Sequence, residues 1–292
     1  MSDVEAATEE FAELVPLDTV VERISTGHLF TEGPVWNARE GFLLWVDIAG
    51  DTIWTWTREA GPAVYIHPSG KANGLTYDRE GRLVAAGWTS RTIWRREQDG
   101  TITTLATHLD GIRINTPNDI VVRSDGSIYW TDGTSGTRHP GFETAADLQV
   151  YRNSNLVLRW DPATGKVSNA TDRAGGCNGL AFSPDESILY VNDSTARCIN
   201  AFDVAADGSL ALLRTVATDT GSATKVDVHG NIFCTGKGGV HALDAGGRLL
   251  GRILVPEKGS NLAWGEDGWR TLFVTSGRSV YRVATSTSGV AV

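Results

Sequence analysis

Six polar side chains stand at corresponding points of a repeated pattern: Glu32, Asn73, Asn118, Asn178, Ser222 and Ser260. They belong to the segments Glu32-Gly33-Pro34-Val35-Trp36, Asn73-Gly74-Leu75-Thr76-Tyr77, Asn118-Asp119-Ile120-Val121-Val122, Asn178-Gly179-Leu180-Ala181-Phe182, Ser222-Ala223-Thr224-Lys225-Val226 and Ser260-Asn261-Leu262-Ala263-Trp264. One carboxylate, three amides and two hydroxyls put an oxygen at each of the six positions. Oxygens converging on a point coordinate a hard cation such as calcium. A packing-only channel would have no need of them.

Convergence requires an architecture that brings six distant segments to one axis. Each segment is followed by turn chemistry and a second β-rich run: Asp78-Arg79-Glu80-Gly81 leads into Arg82-Leu83-Val84-Ala85, and Ser124-Asp125-Gly126 into Ser127-Ile128-Tyr129-Trp130. Acidic or glycine-containing turns between β-branched and aromatic runs are hairpin signals. Successive repeats start 41, 45, 60, 44 and 38 residues apart, close to the length of one four-stranded propeller blade. The expected fold is therefore all-β, a six-bladed β-propeller over residues 19–292, preceded by a partly flexible acidic segment, 1–18. Val20-Val21-Glu22-Arg23-Ile24 is expected to complete the blade whose other strands end near Ser279-Val280-Tyr281-Arg282-Val283. The 60-residue interval holds a long insertion, roughly 133–155, expected to cover one end of the channel.

Composition narrows the partners. With 41% hydrophobic and 21% charged residues the chain reads as globular, and ten tryptophans help fill a sizeable core. A net charge of −9 with no basic run argues against nucleic acid. Cys177, Cys198 and Cys234 are odd in number and lack metal-site spacing, which suits free thiols in a reducing compartment. The acidic first residues do not resemble a signal peptide, and no apolar run is long enough to span a bilayer. The expectation is a soluble cytoplasmic protein acting on a small molecule, with no membrane partner.

The motifs Phe30-Thr31-Glu32-Gly33-Pro34-Val35-Trp36, Asn115-Thr116-Pro117-Asn118-Asp119 and Asn178-Gly179-Leu180-Ala181-Phe182-Ser183-Pro184-Asp185 closely resemble the gluconolactonase and regucalcin (senescence marker protein) family, over about residues 24–283. The resemblance implies a six-bladed propeller that hydrolyses a lactone or similar cyclic ester. It also implies a divalent metal in the channel, calcium first, with zinc, magnesium or manganese as alternatives. Carried over by motif, Glu32, Asn118 and Asn178 are the implied metal ligands. The family's fourth ligand, an aspartate that also serves as base or nucleophile, aligns with Ser222. Serine brings no charge and is a poor base, so weaker metal binding is expected. Asp219 or Asp227 could substitute, although Asp227 reads better as a turn residue.

Other candidates have competing structural readings. Asn118 lies in Pro117-Asn118-Asp119, which has turn chemistry, and Glu32 could be a solvated surface acid. Asn73, Arg91 and Arg113 are candidates for substrate binding, against capping for the first and ordinary surface roles for the arginines. Asp132 and Asp193 could serve as alternative bases or cap turns. Asp119 suits local backbone bonding, Cys177 a packed thiol, and His28 the channel mouth or a structural site. The chemistry expected overall is metal-dependent lactone hydrolysis, with Glu32, Asn118, Asn178 and Ser222 as the catalytic set. The alternatives are a non-hydrolytic isomerase, cyclase or condensing propeller resembling strictosidine synthase, and a small-molecule binding module.

Overall fold

Six antiparallel sheets of at least four strands are arranged in chain order in the computed structural model, which describes residues 2–134 and 149–291. The innermost strands of blades 1 to 6 are Thr31–Asn37, Ala72–Tyr77, Thr116–Val122, Cys177–Phe182, Thr220–Val226 and Gly259–Gly265. Each touches the next and the last touches the first, so the ring is closed. This is the six-bladed propeller expected from the repeats, and closure leaves only short edges to solvent.

Hairpin chemistry sets each blade. Asp125 accepts the Ser127 N–H at 2.8 Å while Gly126 takes φ +82°, which glycine adopts without steric cost. The second strands carry buried apolar runs: Leu43, Leu44, Trp45 and Val46 are fully buried, as are Tyr129 and Trp130. Facing blades share these side chains. Leu44 and Val46 pack with Leu75 and Trp94 between blades 1 and 2, and Ile93 packs with Ile120 and Trp130 between blades 2 and 3. At about 1.5–3 kcal/mol for each large apolar side chain removed from water, these seams hold the blades at a fixed angle to the axis.

Blade 6 is assembled from both ends of the sequence. Val21–Thr26 pairs antiparallel with Ser279–Ala284 as its outermost strand, the closure expected from the sequence. The residues before it are packed on the propeller: Val4–Ala6 adds a fifth strand to blade 5, and Phe11 is fully buried beside Leu250 and Ile253.

The innermost strands share an irregularity that shapes the axis. Every one shifts register near its start, as between Glu32 and Val35, Ala72 and Leu75, or Cys177 and Leu180. There the chains approach closely: a Cβ on Gly179 would lie 2.6 Å from both the Ser222 carbonyl oxygen and the Ala223 Cα. Glycine is what allows blades 4 and 5 to meet at that depth.

Candidate functional site

The six polar residues singled out in the sequence occupy the second or third place of the six innermost strands. Because those strands run the same way around the ring, the six residues share one end of the channel. Glu32, Asn73, Asn118 and Ser260 are buried, and Asn178 and Ser222 are half-buried. Toward the opposite end Trp36, Phe182 and Trp264 line a cavity of about 130 Å³, with the charged side chains of Arg79, Glu186 and Lys225 also on its wall.

Glu32 is the only carboxylate of the six. Its Oε2 accepts the Gly33 N–H at 3.2 Å. Burial, reinforced by the charge of Asp119, pushes its pKa up to about 7; the Gly33 N–H, the Asn261 side chain and the Lys225 charge pull the other way. Asn73 is 3% exposed, and its Oδ1 has no hydrogen-bond partner among the described residues. A buried amide oxygen without a partner is costly unless something is meant to bind it. The Ser222 hydroxyl donates to the Ser260 carbonyl at 2.8 Å, and the Ser260 hydroxyl donates to the Thr31 carbonyl at 2.6 Å. Ser222 therefore keeps its lone pairs, and among the described residues its hydroxyl bonds no acidic or histidine side chain.

One step along the innermost strands from this ring lies an ion pair. Asp119, adjacent to Asn118 and 2% exposed, accepts the Ile120 N–H at 3.0 Å and the Leu180 N–H at 3.3 Å. Its Oδ2 also lies 3.2 Å from Lys225 Nζ, joining blade 3 to blades 4 and 5. Lys225 and Asn261 were not among the candidates. A signal existed: at the position of Lys225 the other blades carry Trp36, Thr76, Val121, Ala181 and Ala263, none of them charged.

The remaining candidates have partners of their own. Asp219 is not drawn into the channel; it sits at a left-handed turn, φ +58°, its side chain 85% exposed and 3.2 Å from Arg197. Asp227 is fully buried and accepts the N–H groups of His229 and Asn231, the turn role expected. Asp193 caps the N–H groups of Thr195 and Ala196. Asp132 is fully buried and accepts the Asn115 N–H at 2.9 Å. Burial lifts its pKa to about 7 against the pull of that bond, Arg91 and Arg152.

Arg91 is not a surface residue. It is 1% exposed, donates to the Gln149 carbonyl at 2.6 Å, and lies 5.2 Å above the Tyr151 ring. Arg113 donates to the Ser90 carbonyl at 3.2 Å. Their planar, multi-donor heads suit such backbone anchoring. Residues 135–148 of the long insertion lie outside the described residues. Its return is pinned by Asn115, which donates to Arg152 O at 2.9 Å. His28 does not reach the mouth: it packs edge-on against Trp45 and Trp54, and burial lowers its pKa. Cys177 is a packed thiol whose pKa burial raises strongly.

Neutral oxygens around one carboxylate are hard donors, so the ring fits a hard divalent cation, with less charge than a tight site carries. Among the described residues no three acidic, histidine or cysteine side chains are placed to hold a metal ion together. The orphaned Asn73 Oδ1 is the feature that favours an oxygen-seeking guest.

Fold and site together define a propeller with a polar ring at one mouth of its axis. The chain belongs to the SMP-30/gluconolactonase/LRE-like family, whose model matches residues 30–278. Among its relatives, a gluconolactonase from Zymomonas mobilis is 29% identical over 94% of this chain and 84% of that protein. A pentonolactonase from Haloferax volcanii is 27% identical over 88% and 85%. The solved structure of a gluconolactonase from Xanthomonas campestris superposes with a TM-score of 0.90 at 29% identity, covering 97% of this chain and 94% of that one.

Proposed function

We propose that this chain hydrolyses a lactone or comparable small cyclic ester at the polar mouth of the channel, with a divalent cation, calcium first, held by Glu32, Asn118 and Asn178. The observation that carries the reading is the ring itself: six inner strands present oxygen side chains at one end, a single buried carboxylate among them, in a chain of a family with lactonase members. A divalent ion there supplies Lewis-acid polarisation of a carbonyl and a water of lowered pKa.

The protein's own groups do the rest. Asn73 offers its unpartnered Oδ1 to a hydroxyl of a polyhydroxylated substrate. Glu32 is the one group of the six that brings a negative charge to the cation. Ser222, its hydroxyl committed to Ser260 O, contributes a neutral oxygen and no base. Arg91 and Arg113, anchored to backbone carbonyls, are the arginines proposed to orient the substrate at the mouth. Three buried free cysteines suit a reducing compartment such as the cytoplasm. No helix among the described residues is long and apolar enough to cross a membrane.

The test is turnover of five- and six-membered aldonolactones, followed by acid release, by the wild-type protein and Glu32→Gln with calcium and after chelation. The expected result is hydrolysis that chelation abolishes and that falls by about a hundredfold or more in the variant. Undiminished hydrolysis by Glu32→Gln would sink the assignment.

A further inference from the structure

The axis below the polar ring carries a fixed charge that nothing in the proposed reaction uses. Lys225 Nζ lies 3.2 Å from Asp119 Oδ2 and donates to the Leu180 carbonyl at 3.5 Å. The lysine side chain is 19% exposed and the aspartate 3%, so solvent screens the pair little. Both charges reach the ring: Asp119 and Lys225 act on Glu32 with opposite sign. They stand beside it by sequence as well. Asp119 follows Asn118, and Lys225 is three residues beyond Ser222 on the same strand.

We infer that Lys225 is a built-in cation that competes with a divalent ion for the channel's negative charge and thereby sets its affinity. The inference rests on the cation-binding reading above. Once Glu32 is ionised, it and Asp119 bring two negative charges to this part of the axis, and the Lys225 ammonium cancels one of them. An arriving divalent ion meets a net charge of one, not two, and is repelled by an ammonium that Asp119 holds in place. Charge count is a main determinant of affinity for hard cations. Without the ammonium, the buried Asp119 carboxylate is left uncompensated and a divalent ion becomes its nearest source of positive charge.

The experiment is calorimetric titration of calcium into chelator-stripped wild-type protein, Lys225→Met, Lys225→Arg and the double variant Lys225→Met/Asp119→Asn, with melting temperatures recorded for each. Methionine keeps the stem and deletes the charge. The inference expects Lys225→Met to bind calcium about tenfold more tightly or better. Lys225→Arg and the double variant, whose net charge equals the wild type's, should stay within about threefold of it. A merely structural lysine would lower the melting temperature and weaken binding. Equal or weaker binding by a folded Lys225→Met overturns the inference while leaving the cation site standing. Binding by neither protein at millimolar calcium overturns both the inference and the proposed cation. If Lys225→Met does not fold, Asp119→Asn runs the test in reverse: about tenfold weaker binding supports the competition, and unchanged binding refutes it.

Discussion

Replacing Glu32 by glutamine should abolish function and at the same time stabilise the cation-free protein, in a manner that depends on pH. The carboxyl's pKa rises from an ordinary 4.5 to about 7 in the fold, chiefly through burial. A raised folded pKa means that the folded state holds the proton more tightly than the unfolded chain. Its contribution is fully present below the unfolded value and is lost as pH climbs through the folded one. At about 1.4 kcal/mol per tenfold change in proton affinity, ionised Glu32 costs the fold on the order of 3 kcal/mol at pH 8 and a little under ~1 kcal/mol at pH 5. Glutamine escapes that cost and keeps an oxygen for the Gly33 N–H. For 292 residues, a melting entropy of about 0.6 kcal/mol/K turns ~3 kcal/mol into a gain of ~5 °C. The assay is thermal unfolding of both proteins in chelator at pH 5 and pH 8. A variant no more stable than wild type at pH 8, or one that gains equally at both pH values, refutes the reasoning. Calcium should narrow the pH 8 difference by favouring the ionised carboxylate of the wild type.

Ser222→Asp adds a second carboxylate to the ring and should tighten calcium by about tenfold, read by the same titration; unchanged affinity would place that side chain outside the cation's reach. Gly179→Ala would drive a methyl to 2.6 Å from backbone atoms of blade 5, costing about 2–4 kcal/mol in urea unfolding. It should also lower turnover, because Asn178 and Ser222 flank the contact. A neutral outcome would mean that blades 4 and 5 can part without loss.

The fold was legible because the repeats are written in turn chemistry: acid–glycine turns, β-branched runs and one polar residue per blade recur at blade-length intervals. The same register placed all six polar residues at one end of the axis, and closure followed from the early strand signal Val20-Val21-Glu22-Arg23-Ile24, left without a hairpin partner of its own. What escaped was anything set by the third dimension across blades. Asp219 lies three residues before Ser222, yet its left-handed turn points it outward at Arg197. Arg91 looked like a loop arginine until Gln149 and Tyr151 closed over it. Lys225 was readable only by comparing each position across all blades, where a lone charge at an otherwise uncharged position marks the axis.

The closure of blade 6 has a consequence for how the protein is made. Thr26 and Ser279, hydrogen-bonded at 2.9 Å, are 253 residues apart in sequence. At a synthesis rate of roughly 5–20 residues per second, the N-terminal strand waits roughly 13–50 s for its partner to leave the ribosome. Throughout that time blade 1 lacks a neighbour, and its seam with blade 6, where Trp36 and Trp56 meet Phe273, lies open to water. The link from Ser260 to Thr31, one residue before Glu32, is also among the last to form. A nascent chain of five blades therefore leaves this apolar seam uncovered until the sixth blade closes the ring.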